Sequence, residues 1–211
     1  MSKDMTRVYH WTANVRANHW LRFLSFVALL ITGLYIHNPF MSGEHMMTWN
    51  RFIHLVAGYG MLFVLIFRTY MMFFSPNKEE RDWAELFPTP ANLAKLPQLI
   101  KYYMFLSNEH PTYKRYNPIQ GPVYVLMALL IMMMAVTGLA IHHGGWLSGS
   151  FAWVNTMLGG EPVTRVVHVL GMWVMIALVL AHIYLVLRQD MLEKDRTFMS
   201  MIDGYVLRAG K

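Results

Sequence analysis

Four stretches of this chain, about residues 20–36, 52–74, 121–141 and 166–187, are nearly continuous in apolar side chains. A bilayer is crossed by about 20 such residues. Hydrocarbon offers no water to backbone N–H and C=O groups, so stretches of this kind span as helices that satisfy those groups internally. The expected fold is therefore all-α, a four-helix transmembrane bundle forming a single domain over residues 1–211. The chain is 55% hydrophobic and 14% charged, whereas soluble domains average about 25% charged residues. No A-x-A cleavage pattern follows the first apolar run, so no removable signal peptide is expected.

Basic residues set the orientation. The N-terminal arm carries Lys3, Arg7 and Arg16. The connection between spans two and three carries Lys78, Arg81, Lys95, Lys101, Lys114 and Arg115, and the tail Arg188, Lys194, Arg196, Arg208 and Lys211. The two other connections hold Arg51 and Arg165 only. Lysine and arginine accumulate on the cytoplasmic side, so both termini are expected there, in a bacterial inner membrane. The net charge of +6 then reflects sidedness against membrane lipid, with no nucleic-acid partner expected. Within the inner connection, PANLAKLPQLIKYYMFL repeats apolar residues every three or four positions. That pattern predicts an amphipathic segment at about residues 91–107 along the inner surface. Arg22 and Arg68 fall near span ends, where long side chains snorkel to the headgroups.

The chain has no cysteine, which removes disulfides, iron–sulfur ligation and covalent haem attachment. Any haem would be of b type, held by histidine or methionine. His19, His54, His168 and His182 lie inside or at the mouth of the apolar spans. An imidazole in hydrocarbon points to function by default. His168 and His182 are fourteen residues apart, which returns to within ~40° of one helix face about 21 Å further along. Span topology then pairs His54 with His168 near the outer side and His19 with His182 near the inner side. The expectation is two haem b irons, one clamped by each pair. The bland alternative is interhelical hydrogen bonding by each histidine alone. A proton-relay transporter is a further alternative, but the four spans contain no aspartate or glutamate.

Three copies of R-x-x-H, at Arg16–His19, Arg51–His54 and Arg165–His168, put an arginine one helical turn from a histidine. A guanidinium fork suits a haem propionate, so Arg16, Arg51 and Arg165 are the candidate propionate partners; simple anchoring at the membrane boundary is the alternative. Gly33 in ITGLYI, Gly138 in VTGLAI, and Gly58, Gly60 and Gly171 read either as clearance for a planar macrocycle or as small-residue helix packing. His10, His37, His45, His110, His142 and His143 read as interfacial. Methionine runs such as Met132–Met134 read as flexible apolar filling.

The segments VRANHWLRFLSF with TGLYI, RFIHLVAG, YNPIQGPVY with VTGLAI, RVVHVLGMWVMIALVLAHIYLVLRQDM and MSMIDGY resemble the b-type cytochrome subunit of membrane-bound nickel–iron hydrogenases. That family is related to the gamma subunit of respiratory formate dehydrogenase. The resemblance implies a membrane anchor whose partners are the small and large subunits of a periplasmic hydrogenase. Electrons would leave the iron–sulfur clusters of the small subunit, cross the two haems and reduce menaquinone or ubiquinone. It further implies a quinone pocket at Tyr116, Asn117 and Gln120, with Asn117 donating to a quinone carbonyl. Pro118-Ile119 replaces a glycine-containing pair of the formate enzyme, and a capped helix start is the competing reading of these residues. An equivalent subunit of formate dehydrogenase or another respiratory reductase is the nearest alternative. Alone, the subunit is expected to have no hydrogenase activity.

Overall fold

A computed structural model describes residues 5–40, 43–107, 111, 113, 116–144, 147 and 149–209. Lys3, His110, Lys114, Arg115 and Lys211, used in the sequence reading, lie outside the described residues, as does the side chain of Arg208. Four helices are long and apolar enough to cross a membrane: α1 (Ala13–His37), α2 (Met46–Phe74), α5 (Gln120–Ala140) and α7 (Glu161–Glu193). Between and after them lie α3 (Pro90–Leu93), α4 (Leu96–Tyr103), α6 (Ala152–Leu158) and α8 (Thr197–Asp203). Two short strands, β1 (Met5–Tyr9) and β2 (Tyr205–Ala209), complete the chain.

The long helices outrun their apolar runs for local reasons. Thr12 caps α1 by accepting the Val15 N–H, which starts the helix well before Trp20. Pro162 sits in the first turn of α7, where its missing N–H has no helical partner to lose. At 33 residues, α7 is about 50 Å long and passes beyond a ~30 Å hydrocarbon layer at its ends.

Packing is pairwise. Helix α1 lies along α2, α5 along α7, and α2 joins the pairs through α5. The buried centre consists of Met61, Leu65, Ile131 and Met175, with Phe26, Leu29 and Met127 around it. Met175 is seven residues from both His168 and His182, so this apolar plug lies midway between the two histidine levels.

The amphipathic segment is broken in two, α3 and α4, at Ala94 and Lys95. Helix α4 does more than rest on a surface. Leu99 and Tyr102 are fully buried. Arg188 of α7 donates to the Tyr102 carbonyl at 2.6 Å, and its guanidinium lies 4.0 Å over the Tyr102 ring.

The sheet is an addition to the all-α expectation. Strands β1 and β2 pair antiparallel from Met5↔Ala209 to Tyr9↔Tyr205, so residues 5–9 and 205–209 lie side by side. Arg7 donates to Asp203 at 3.0 Å and stacks on Tyr205. Helix α8 then closes on the start of α1, where Trp20 donates to the Met201 carbonyl at 2.8 Å.

Candidate functional site

Two pairs of imidazoles face each other across the bundle. His54 of α2 and His168 of α7 have ring centres 6.4 Å apart. His19 of α1 and His182 of α7 have ring centres 6.5 Å apart. A metal shared by two imidazoles, each bound at about 2 Å through a nitrogen about 1.1 Å from the ring centre, sets the centres about 6.3 Å apart. Both pairs match that spacing, whereas directly hydrogen-bonded imidazoles sit closer. Among the described residues no group of three or more His, Asp or Glu converges on a metal position. What the geometry offers is two sites, each with a pair of candidate histidine ligands.

The outer pair is held by a repeated device. Thr32 Oγ1 lies 2.9 Å from His54 Nδ1, and Thr137 Oγ1 lies 2.9 Å from His168 Nδ1. Each hydroxyl also donates back along its own helix, Thr32 to the Ala28 carbonyl at 2.6 Å and Thr137 to the Met133 carbonyl at 2.7 Å. A hydroxyl has one proton to give, so at the histidine it accepts. The proton therefore sits on Nδ1, and Nε2 carries the lone pair. Glycine completes the seat. A Cβ at Gly33 would come within 3.2 Å of His54 Cε1, and one at Gly138 within 3.2 Å of His168 Cε1. The room these two glycines leave is filled by an imidazole ring. Gly171 faces Met133 and Met134, and a Cβ at Gly58 would touch only Leu29.

The inner pair sits among unpaired polar atoms. His19 Nδ1, Arg16 Nε, Asn18 Oδ1 and Arg22 Nε, all within two turns of α1, are buried without a hydrogen-bond partner among the described residues. Arg16 also donates from Nη1 to the Ile202 carbonyl at 2.7 Å. Arg22 does not snorkel. Its Nε is buried, and its guanidinium lies within electrostatic reach of both His19 and His182. Unpaired buried donors are costly, and Arg22 beside the imidazole pair and Arg16 one turn before His19 on α1 are groups that would suit the carboxylates of a haem edge.

The outer arginines are placed differently. Arg51 is exposed at the start of α2 and makes no hydrogen bond to a described residue. Arg165 pairs with Glu161 one turn away on α7, and Glu161 also meets His143 Nε2 at 3.0 Å. A propionate would have to displace Glu161 to reach it.

Below the inner pair, Tyr116, Asn117 and Gln120 lie together at the start of α5. Asn117 Oδ1 accepts the N–H groups of Ile119 and Gln120, and Gln120 Oε1 accepts the Asn117 N–H. Asn117 Nδ2 donates to the Tyr103 hydroxyl at 3.0 Å. This is a helix cap, and it leaves Asn117 one further amide hydrogen. Tyr116 donates to Asp82 at 2.6 Å. Burial pushes the Tyr116 phenol above its ordinary pKa, and the adjacent Asp82 carboxylate raises it further, so it remains a proton-bearing donor.

A buried polar cluster that sequence reasoning missed surrounds this point. Arg68 pairs with the buried Asp82 at 2.6 Å, so it too is fixed inward and does not snorkel. Glu80, 2% exposed, accepts hydrogen bonds from Thr12, Asn14 and Ser75. Burial alone would raise the pKa of Glu80, but these three donors and nearby Arg68 hold it below the ordinary value. Gly121 lets the inner loop cross here, since a Cβ would lie 2.0 Å from the Leu86 carbonyl oxygen. The two seating threonines were also missed, although the T-G step stood in both ITGLYI and VTGLAI.

Comparison with known proteins gives a consistent assignment. A sequence-family model described as prokaryotic cytochrome b561 matches residues 10–204. A "Probable Ni/Fe-hydrogenase B-type cytochrome subunit" of Azotobacter chroococcum mcd 1 is 30% identical, over 96% of this chain and 90% of the relative. A protein of the same description from Cupriavidus necator is 29% identical, over 96% and 88%. A "Probable Ni/Fe-hydrogenase 1 B-type cytochrome subunit" of Escherichia coli K12 is 31% identical, over 97% and 92%.

Proposed function

Because this chain belongs to the prokaryotic cytochrome b561 family, we propose that it is the di-haem electron conduit of a membrane-bound nickel–iron hydrogenase, joining the small subunit of that enzyme to the quinone pool. The observation that carries this reading is the pair of facing imidazole couples, with centres 6.4 and 6.5 Å apart. His54 and His168 would hold the outer haem b, and His19 and His182 the inner one. Bound there, haem b would supply one-electron redox chemistry, with these four histidines as the residues that would hold its iron.

The residues divide the remaining work. The Met61, Leu65, Ile131 and Met175 plug excludes water between the two levels and keeps the path dry. Arg16 and Arg22, each with a buried unpaired Nε, would anchor the inner propionates. Arg51 and Arg165 are the candidates at the outer level, Arg165 by exchanging Glu161. With both termini cytoplasmic, electrons travel inward. That charge movement is worth about 2.3 kcal/mol per electron at 100 mV. A quinone, menaquinone or ubiquinone, would be reduced beside the inner pair, with the remaining Asn117 amide hydrogen and Gln120 as candidate partners and Tyr116, whose proton is held by Asp82, as a candidate lining residue.

The test is hydrogen-driven reduction in inner membranes. Hydrogen is expected to reduce b-type absorbance only when the hydrogenase subunits are present, and added quinone to reoxidise it. Co-purification with formate dehydrogenase subunits, and reduction by formate in place of hydrogen, would overturn the partner assignment.

A further inference from the structure

The two imidazole pairs differ in what lies behind the rings. Both outer rings have their Nδ1 bonded to a threonine hydroxyl at 2.9 Å, and each ring rests on a glycine that leaves 3.2 Å for a Cβ. The inner rings have nothing equivalent. His19 Nδ1 is buried and unpartnered, and His182 makes no ring hydrogen bond to a described residue. The device recurs in both halves of the bundle, α1 holding a ligand from α2 and α5 holding one from α7. The T-G step in ITGLYI and VTGLAI is its signature.

We propose that Thr32 and Thr137 are positioning residues that turn Nε2 of His54 and His168 toward each other and hold the outer haem at a lower reduction potential than its ligands alone would set. This rests on the di-haem reading above. The chemistry is a second-shell effect. A hydroxyl that accepts the Nδ1–H draws that proton away from the ring and makes Nε2 a stronger electron donor. A stronger donor favours the more positively charged ferric state, which lowers the potential. At the inner level His19 Nδ1 lacks this acceptor and the Arg22 guanidinium stands nearby, both of which favour the reduced state. The outer centre is thereby made the better electron donor of the two, and transfer runs downhill toward the inner side.

The test is potentiometry of the purified holo-complex, following the b-type absorbance as two one-electron components. His54→Ala and His182→Ala assign the components to the outer and inner levels. Thr32→Val and Thr137→Val, nearly isosteric, are each expected to raise the outer component by up to about tenfold in its reduction equilibrium, about 59 mV for one electron. The inner component should stay put, and Thr32→Ser and Thr137→Ser should restore the wild-type value. Loss of the outer haem from the valine variants, with retention in the serine variants, also supports the positioning role. An unmoved outer component, equal shifts in both components, or serine variants that behave like valine would overturn the proposal. Wild-type complex without two haem components would instead remove the di-haem reading beneath it, and that is visible before any variant is made.

Discussion

At the scale of single residues, the site is built from small side chains placed behind large ones. Gly33 and Gly138 are where the chain spends its glycines on the ligands. A methyl group at either would stand 3.2 Å from a ligand Cε1 carbon, so the imidazole would have to give by a few tenths of an ångström. The ring is fixed by its threonine and would be fixed further by a bound iron, so it has little freedom to yield. Overpacking of this kind costs about 1–3 kcal/mol. Gly33→Ala and Gly138→Ala are therefore expected to reduce retention of the outer haem while leaving the inner one in place. Haem content and the two spectral components of the purified variants check this. The four histidines were legible because an imidazole in an apolar run stands out. Their threonines were not, because a threonine in a span reads as ordinary until a distant residue is placed against it: Thr32 is 22 positions from His54, and Thr137 is 31 from His168.

At the scale of elements, the inner end is tied together by a buried ionic and hydrogen-bonded cluster. The 3₁₀ turn Lys78–Glu80 carries Glu80 back against the cap of α1, where Thr12 and Asn14 donate to it. The same loop presents Asp82 to Arg68 of α2 and to Tyr116. Glu80 has a folded-state pKa below its ordinary 4.5. Its ionised form therefore contributes stability fully above that ordinary value, and the contribution is lost as pH falls through the depressed folded value. Thermal unfolding of wild type and Glu80→Gln across the acidic range should show a gap that is widest near neutrality and closes on acidification. A gap independent of pH would contradict the assignment. The four spans and the inner segment were legible because apolar runs and three-to-four-residue spacing are local signals. The cluster and the sheet were not, because they depend on contacts between residues 12 and 80, 82 and 116, and 9 and 205, which no window of sequence contains.

At the scale of the whole molecule, α7 is the spine. Among the four long helices it alone carries a candidate ligand at both levels, His168 and His182, and it contacts α5, α6 and α8 along its length. The pairing of β1 with β2 brings the strand before α1 and the strand after α8 to one end of the bundle. Arg51 lies near the start of α2 and Arg165 near the start of α7, at the opposite end. The central claim is that four imidazoles from three helices hold two haems b in facing couples. Haem stoichiometry of the purified protein and its histidine variants tests it most directly. Two haems b per chain are expected, falling to about one when His54 or His168 is replaced by alanine, and likewise for His19 or His182, with the surviving component differing between the two sets. A colourless protein, or alanine variants that retain both haems, would contradict it.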